Sequence, residues 1–242
     1  MTGVFTMDHV KSITFRADGF RLRGTLHIPD VDHPPLVIGS HGLLSTRRSP
    51  KQIALAESCR AAGIAYFRFD HRGCGDSDGV FHKVTTLDAR CGDLRIALAQ
   101  LLESESIGQR LGLFGSSYGG AAIISLADTL PVDALVTVAA PLRSRTINTP
   151  SDNGQTGMIL DKQMLSFDIS DRLSRIGNIF VIHGEADEVV PVSDGSEIYD
   201  HAAAPKQLWI QPGGDHRMSD PNHQREFVQR ATEWFKERFD VD

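Results

Sequence analysis

No stretch constrains the fold of this chain more than residues 110–120. Arg110-Leu111-Gly112-Leu113-Phe114 is a short apolar run suited to a buried strand, and it leads without a spacer into Gly115-Ser116-Ser117-Tyr118-Gly119-Gly120. Small and apolar residues, Ala121-Ala122-Ile123-Ile124, then open a helix. A strand that turns at once into a helix strains the backbone at the corner and brings its flanks so close that side chains clash. Gly115 and Gly119, two residues either side of Ser117, meet that demand. The turn predicts Ser117 Oγ exposed at a helix N-terminus, where outward-pointing N–H groups favour developing negative charge.

The remaining segments follow the same rhythm. Residues 12–16 and 21–28 alternate polar with apolar around Ala17-Asp18-Gly19 and predict an antiparallel hairpin at a sheet edge. The continuous apolar run at 36–40 predicts a strand inside a parallel sheet, 133–140 a further buried strand, and the mainly apolar stretches 65–69, 179–182 and 207–210 more strands of the same sheet. Helical periodicity marks 51–62, with Ile53, Leu55, Ala56 and Cys59, and 87–102, with Leu87, Cys91, Leu94, Leu98 and Leu101 on one face. A last helix over 222–239 turns Phe227, Ala231, Trp234 and Phe235 inward. Strands alternating with helices predict an α/β fold: one doubly wound, mostly parallel sheet flanked by helices, with residues 1–242 as a single domain. Residues 142–177 interrupt the pattern, being far longer than a crossover needs, and predict a short cap insertion over the sheet's carboxyl edge.

A chain of 242 residues with 40% hydrophobic and 23% charged side chains has the makings of a soluble globular protein with a large core. Its net charge of −6, with Lys and Arg scattered, argues against nucleic acid as a partner. No apolar run is long enough to span a bilayer, and residues 1–11 lack the form of a secretory signal. Cys59, Cys74 and Cys91 are odd in number and widely spaced, which predicts free thiols in the cytoplasm. The ten histidines show no metal-ligand spacing, so no metal or cofactor is expected.

In an open α/β sheet, ligands sit beyond the carboxyl ends of the strands. The strand before the sharp turn delivers Ser117 there, the strand at Phe180 delivers Asp187, and the last core strand delivers His216. A serine hydroxyl needs an adjacent base to attack at neutral pH, and that histidine needs a carboxylate to hold its tautomer and stabilise its cation. The chain order is Ser, Asp, His.

That order, with the Gly-x-Ser-x-Gly nucleophile elbow, resembles the α/β-hydrolase superfamily from about residue 21 to 239. Further stretches are similar to that family's landmarks: His41-Gly42 after an early strand, Asp70-His71-Arg72-Gly73-Cys74-Gly75-Asp76-Ser77, His183-Gly184-Glu185-Ala186-Asp187-Glu188-Val189-Val190-Pro191, and Gly213-Gly214-Asp215-His216. In the pattern it resembles, the carboxylate follows His-Gly and precedes the Val-Pro pair, which selects Asp187 over Glu188. The resemblance implies Ser117 as nucleophile, His216 as base in preference to His183 and His41, and an oxyanion hole from the backbone N–H groups of Leu43 and Tyr118. Asp70, Arg72, Gly73 and Gly75 are read as structural.

The position of the cap looks like the serine-aminopeptidase-like and cinnamoyl (feruloyl) esterase-like branches. Met158, Ile159, Leu160, Met164, Leu165 and Phe167 either line an apolar substrate pocket, with Met158, Leu160 and Met164 as contacts, or form the core of the cap itself. The expected activity is a carboxylesterase acting on small to medium acyl or aryl esters, as a monomer or homodimer. The alternatives are a peptidase or amidase using Asp152 or Asp161 to hold a substrate amine, an acyl-thioesterase, a monoacylglycerol-type lipase, or a hydrolase fold used only for binding.

Overall fold

A computed structural model describes residues 9–103, 107–147 and 165–241. Val10–Ala17 (β1) and Phe20–His27 (β2) form the hairpin that their alternation predicts, and its turn residues Asp18 and Gly19 both take positive φ. The apolar runs become β3 (Leu36–Ser40), β4 (Ala65–Asp70), β5 (Leu111–Ser116), β6 (Ala134–Val138), β7 (Ile179–Gly184) and β8 (Lys206–Gln211). All eight pair into one sheet in the order β1-β2-β4-β3-β5-β6-β7-β8. From β4 to β8 every pairing is parallel, and β1 and β2 are joined on by antiparallel pairing.

Helices cover both faces. They are α1 (Pro50–Ala61), α2 (Phe81–Val84), α3 (Leu87–Leu102), α4 (Tyr118–Ala127), α5 (Val192–His201) and α6 (Pro221–Phe239). Their starts follow from local chemistry: Ser49, Thr86 and Asp220 cap α1, α3 and α6 through side-chain oxygens, and prolines open α1 and α6. Successive strand residues then feed opposite layers. Phe67, Phe69 and Leu113 pack toward α3 and α4, whereas Tyr66, Phe114, Phe180 and Ile182 pack toward α1 and α6.

Three details differ from the sequence reading. On α1, Ile53 faces solvent and Gln52 is buried, because the Gln52 side chain accepts a hydrogen bond from the Tyr66 hydroxyl at 2.9 Å. The last strand, β8, is an edge and only half-buried over Leu208, Trp209 and Ile210. Helix α5 lies where no helical periodicity was visible.

The sheet order reverses at β3, whose two neighbours are β4 on one side and β5 on the other. A crevice opens at the carboxyl ends of strands at such a switch point. Here it receives the loop after β3, beginning His41-Gly42-Leu43, and the turn after β5. Beyond β6, the chain pairs with itself: Arg143 bridges antiparallel to Asp168, Ser144 N–H donates to Phe167 O at 3.0 Å, and Ile169 N–H donates to Leu142 O at 3.1 Å. Asp194 of α5 anchors this base, its carboxylate accepting from Leu142 N–H at 2.8 Å and from the Thr146 hydroxyl at 2.6 Å. Met158, Leu160, Met164, Asp152 and Asp161 lie outside the described residues.

Candidate active site

Ser117 stands between β5 and α4 with φ 54° and ψ −126°, a conformation that side chains avoid. The structure shows why glycines flank it. A Cβ on Gly115 would collide with the backbone of Gly119 and Gly120, and one on Gly119 with the carbonyl oxygens of Ser40 and His41. The Ser117 N–H is tied to Val138 O at 2.8 Å, which fixes the turn against β6.

Three strand ends meet over this turn. His216 Nε2 lies 3.1 Å from Ser117 Oγ, and His216 Nδ1 lies 2.9 and 3.0 Å from the two Asp187 oxygens. A carboxylate only accepts, so Nδ1 carries the proton and Nε2 is free to accept from the serine hydroxyl. Exposure is graded along this line: the Asp187 side chain is sealed at 0%, His216 is 13% exposed, and Ser117 is half-buried at the crevice.

Burial alone would raise the Asp187 pKa. Hydrogen bonds from His183, His216 and the Val190 N–H overcome it and hold the carboxyl well below the usual range. His183 is wholly buried, and its Nε2–H is shared between Val190 O at 3.0 Å and Asp187 at 3.3 Å. It orients the carboxylate, while the hydrogen-bond partner of Ser117 Oγ is His216. The His216 segment is pinned by Lys51, whose ammonium donates to His216 O at 3.4 Å; burial brings its pKa down to about 8.

On the other side of the crevice, the loop after β3 rests on a buried polar cluster. The His71 N–H donates to His41 Nε2 at 3.3 Å, so the His41 proton sits on Nδ1 and is given to Gly42 O at 2.8 Å. His71 in turn accepts from Ser40 Oγ at 2.9 Å through Nε2 and donates to Asp93 at 3.3 Å through Nδ1. Arg72 closes the cluster with bonds to Asp93 at 2.6 and 2.8 Å and to Asp18 at 2.8 Å. Asp70 holds the neighbouring loop through Arg47 and the Asp76 N–H. Asp70 and Arg72 therefore tie loops together. Arg90, His71 and Asp93 were not foreseen as parts of the site. The available signal was two charges, Arg90 and Asp93, set on the buried side of α3 among Leu87, Leu94 and Ala97.

This cluster predicts an acid-sensitive fold. Burial first, and then the Arg90 charge, pull the His71 pKa from 6.5 to about 4 against the opposing effect of Asp93. Between those values the unfolded chain binds a proton that the folded chain refuses, so stability is lost as pH falls from 6.5 and the loss levels off below 4. At about 1.4 kcal/mol per pH unit, His71 alone contributes a loss of about 3 kcal/mol over that window. Urea unfolding at pH 7 and pH 4 measures it, and His71→Asn is expected to show a loss smaller by that amount. An equal loss in both proteins would contradict the assignment.

Among the described residues, no group of three His, Cys, Asp or Glu side chains is placed to hold a metal ion, and all three cysteines are free and buried. No helix there is long and apolar enough to cross a membrane.

Comparison with known proteins gives the family and the fold. The chain is 30% identical over 216 residues to the uncharacterized protein YfhR of Escherichia coli O157:H7, covering 85% of this chain and 73% of the relative. It is 24% identical over 215 residues to the mitochondrial palmitoyl-protein thioesterase ABHD10 of Mus musculus, covering 77% and 70%. Among solved structures, Est1E from Butyrivibrio proteoclasticus, bound to ferulic acid, superposes with a TM-score of 0.80 at 20% identity over 94% of this chain and 99% of that one. A sequence model of the family described as "Serine aminopeptidase, S33" matches residues 32–176, more than half of the chain. The chain therefore belongs to the S33 serine aminopeptidase family and is a hydrolase of the α/β-hydrolase fold.

Proposed function

We propose that the protein is a serine carboxylesterase cleaving small to medium acyl or aryl esters. The observation that carries this reading is the unbroken line from Ser117 Oγ through His216 to Asp187, with the serine at a helix N-terminus. His216 takes the Ser117 proton as Oγ attacks the ester carbonyl, and Asp187 stabilises the imidazolium. The carbonyl oxygen becomes an oxyanion, held by the Leu43 and Tyr118 amides. His216 then protonates the departing alcohol. Water, deprotonated by the same base, attacks the acyl-enzyme and releases the acid.

Residues 142–177 are proposed to cap the crevice, and Met158, Leu160 and Met164 to meet the acyl or aryl group. The protein is proposed to act in the cytoplasm on small molecules, as a monomer or homodimer and without a cofactor. One rival reading has a specific support: the mouse relative is a palmitoyl-protein thioesterase. Acyl-thioester hydrolysis would use the same groups with a thiol leaving.

The deciding experiment compares p-nitrophenyl esters of rising acyl length, a methyl hydroxycinnamate, an acyl thioester and an amino-acid p-nitroanilide. Esters are expected to turn over fastest, with the length profile sizing the pocket. Faster cleavage of the thioester or the anilide would move the assignment to a thioesterase or a peptidase. A folded protein that a fluorophosphonate does not label at Ser117 would end the catalytic reading.

A further inference from the structure

Arg90 lies in the first turn of α3, and its guanidinium is buried. Among the described residues its partners are backbone carbonyls, a thiol and an aromatic ring, with no carboxylate in ion-pair contact. Nη1 donates to His41 O at 2.5 Å, and Nη2 approaches Gly42 O and Leu43 O at 3.3 Å each. Its Cζ stands 5.1 Å from the centre of the Tyr118 ring. Burying a guanidinium is costly unless its protons find acceptors, and its flat fork serves several at once where a lysine ammonium does not. One side chain thus touches both segments that carry the proposed oxyanion donors.

Peptide geometry gives the direction of the grip. In a trans peptide, the C=O and N–H of one plane point opposite ways. Gly42 O is turned toward Arg90 and receives the His41 Nδ1–H as well, so the Leu43 N–H points away from them. The elbow lies against this same peptide: a Cβ on Gly42 would stand 3.6 Å from both Ser117 Cβ and Ser116 O.

We propose that Arg90 is the positioning residue of the oxyanion site: it holds the His41-Gly42-Leu43 carbonyls from behind and braces the Tyr118 ring, so that the Leu43 and Tyr118 amides converge on one point. It acts on the transition state through those amides without touching substrate. This role rests on Ser117 being the nucleophile.

The test pairs p-nitrophenyl butyrate turnover with binding of a phenyl trifluoromethyl ketone. The ketone carbon bonds to Ser117 Oγ, the hydroxyl proton passes to His216 Nε2, and the ketone oxygen becomes the oxyanion. In Arg90→Ala, kcat and ketone affinity are each expected to fall about 100-fold while KM stays within about threefold. Methylguanidinium is expected to restore part of that kcat, and to restore nothing in Ser117→Ala. Arg90→Lys keeps the charge without the fork, and is expected to fold and to lose about tenfold in kcat; if Arg90→Ala does not fold, this variant decides. Unchanged ketone affinity in a folded Arg90 variant, or a loss in KM instead of kcat, overturns the role. A folded wild-type protein that neither hydrolyses esters nor captures the ketone removes the nucleophile reading and this role together. Equal capture by wild type and Arg90 variants removes this role alone.

Discussion

Ser117→Ala is expected to lower kcat for ester hydrolysis on the order of 10⁵-fold, about 7 kcal/mol of transition-state stabilisation, with KM changed little. The substitution deletes the atom that bonds to the acyl carbon and leaves the oxyanion donors in place, so a small rate over water survives. The protein should stay folded, since Oγ fills no core position and the φ of 54° is set by backbone contacts on both sides of the turn. Ser117→Gly, equally inactive, should unfold at a higher temperature than Ser117→Ala, because glycine accepts this conformation without strain. Steady-state kinetics with thermal unfolding of both variants checks the pair. Residual activity within about tenfold of wild type would mean that another nucleophile carries the reaction.

Asp187→Asn is expected to cost about 10⁴-fold in kcat at neutral pH. The amide is nearly the same shape, so Val189 and Val190 can still donate to its oxygen as they do to Asp187 Oδ1 at 2.9 and 2.8 Å. What changes is the proton on His216. An amide N–H facing Nδ1 favours the tautomer protonated on Nε2, which can no longer accept from Ser117 Oγ. Glu188→Gln and Glu185→Gln are the controls. Glu188 accepts from the His216 backbone N–H at 3.3 Å and Glu185 from the Gly213 N–H at 3.0 Å, bonds that an amide oxygen can keep, so both should retain wild-type kcat within about threefold. A larger loss in Glu188→Gln than in Asp187→Asn would reassign the acid.

Which parts of the molecule were legible in the sequence follows from what periodicity encodes. The strands of the sheet centre are buried on both faces and read as unbroken apolar runs, and the elbow glycines are forced by backbone collisions that any such turn must have. Helix α5 was hidden because Val192–His201 buries a single large apolar side chain, Ile198, and carries Gly195 in its interior. That glycine disfavours a helix locally, yet a Cβ there would stand 2.6 Å from His183 Nδ1, so the packing that needs the glycine also erases the helical signal. Gln52 and Ile53 exchanged places for a related reason: a hydrogen bond to Tyr66 buries the amide. Ser117, Asp187 and His216 are legible as strand-end residues, and the structure brings the three side chains into hydrogen-bond contact. The cluster behind them was not legible, because Arg90 and Asp93 are charges whose partners, among them three carbonyls, His71 and Arg72, come from loops distant in the chain.

The bridge between Arg143 and Asp168 has an evolutionary consequence. Since the two ends of the intervening stretch already meet, and Asp194 clamps one of them, the distance between β6 and β7 does not depend on how many residues lie between. Lengthening a loop whose ends are fixed costs little, growing only with the logarithm of its length. Whole segments can thus be exchanged at this junction while the strand ends bearing Ser117, Asp187 and His216 stay where they are. With the proposed cap carried on this segment, substrate preference and bond-breaking chemistry would be inherited separately, and one scaffold could diverge in the first while the second is kept.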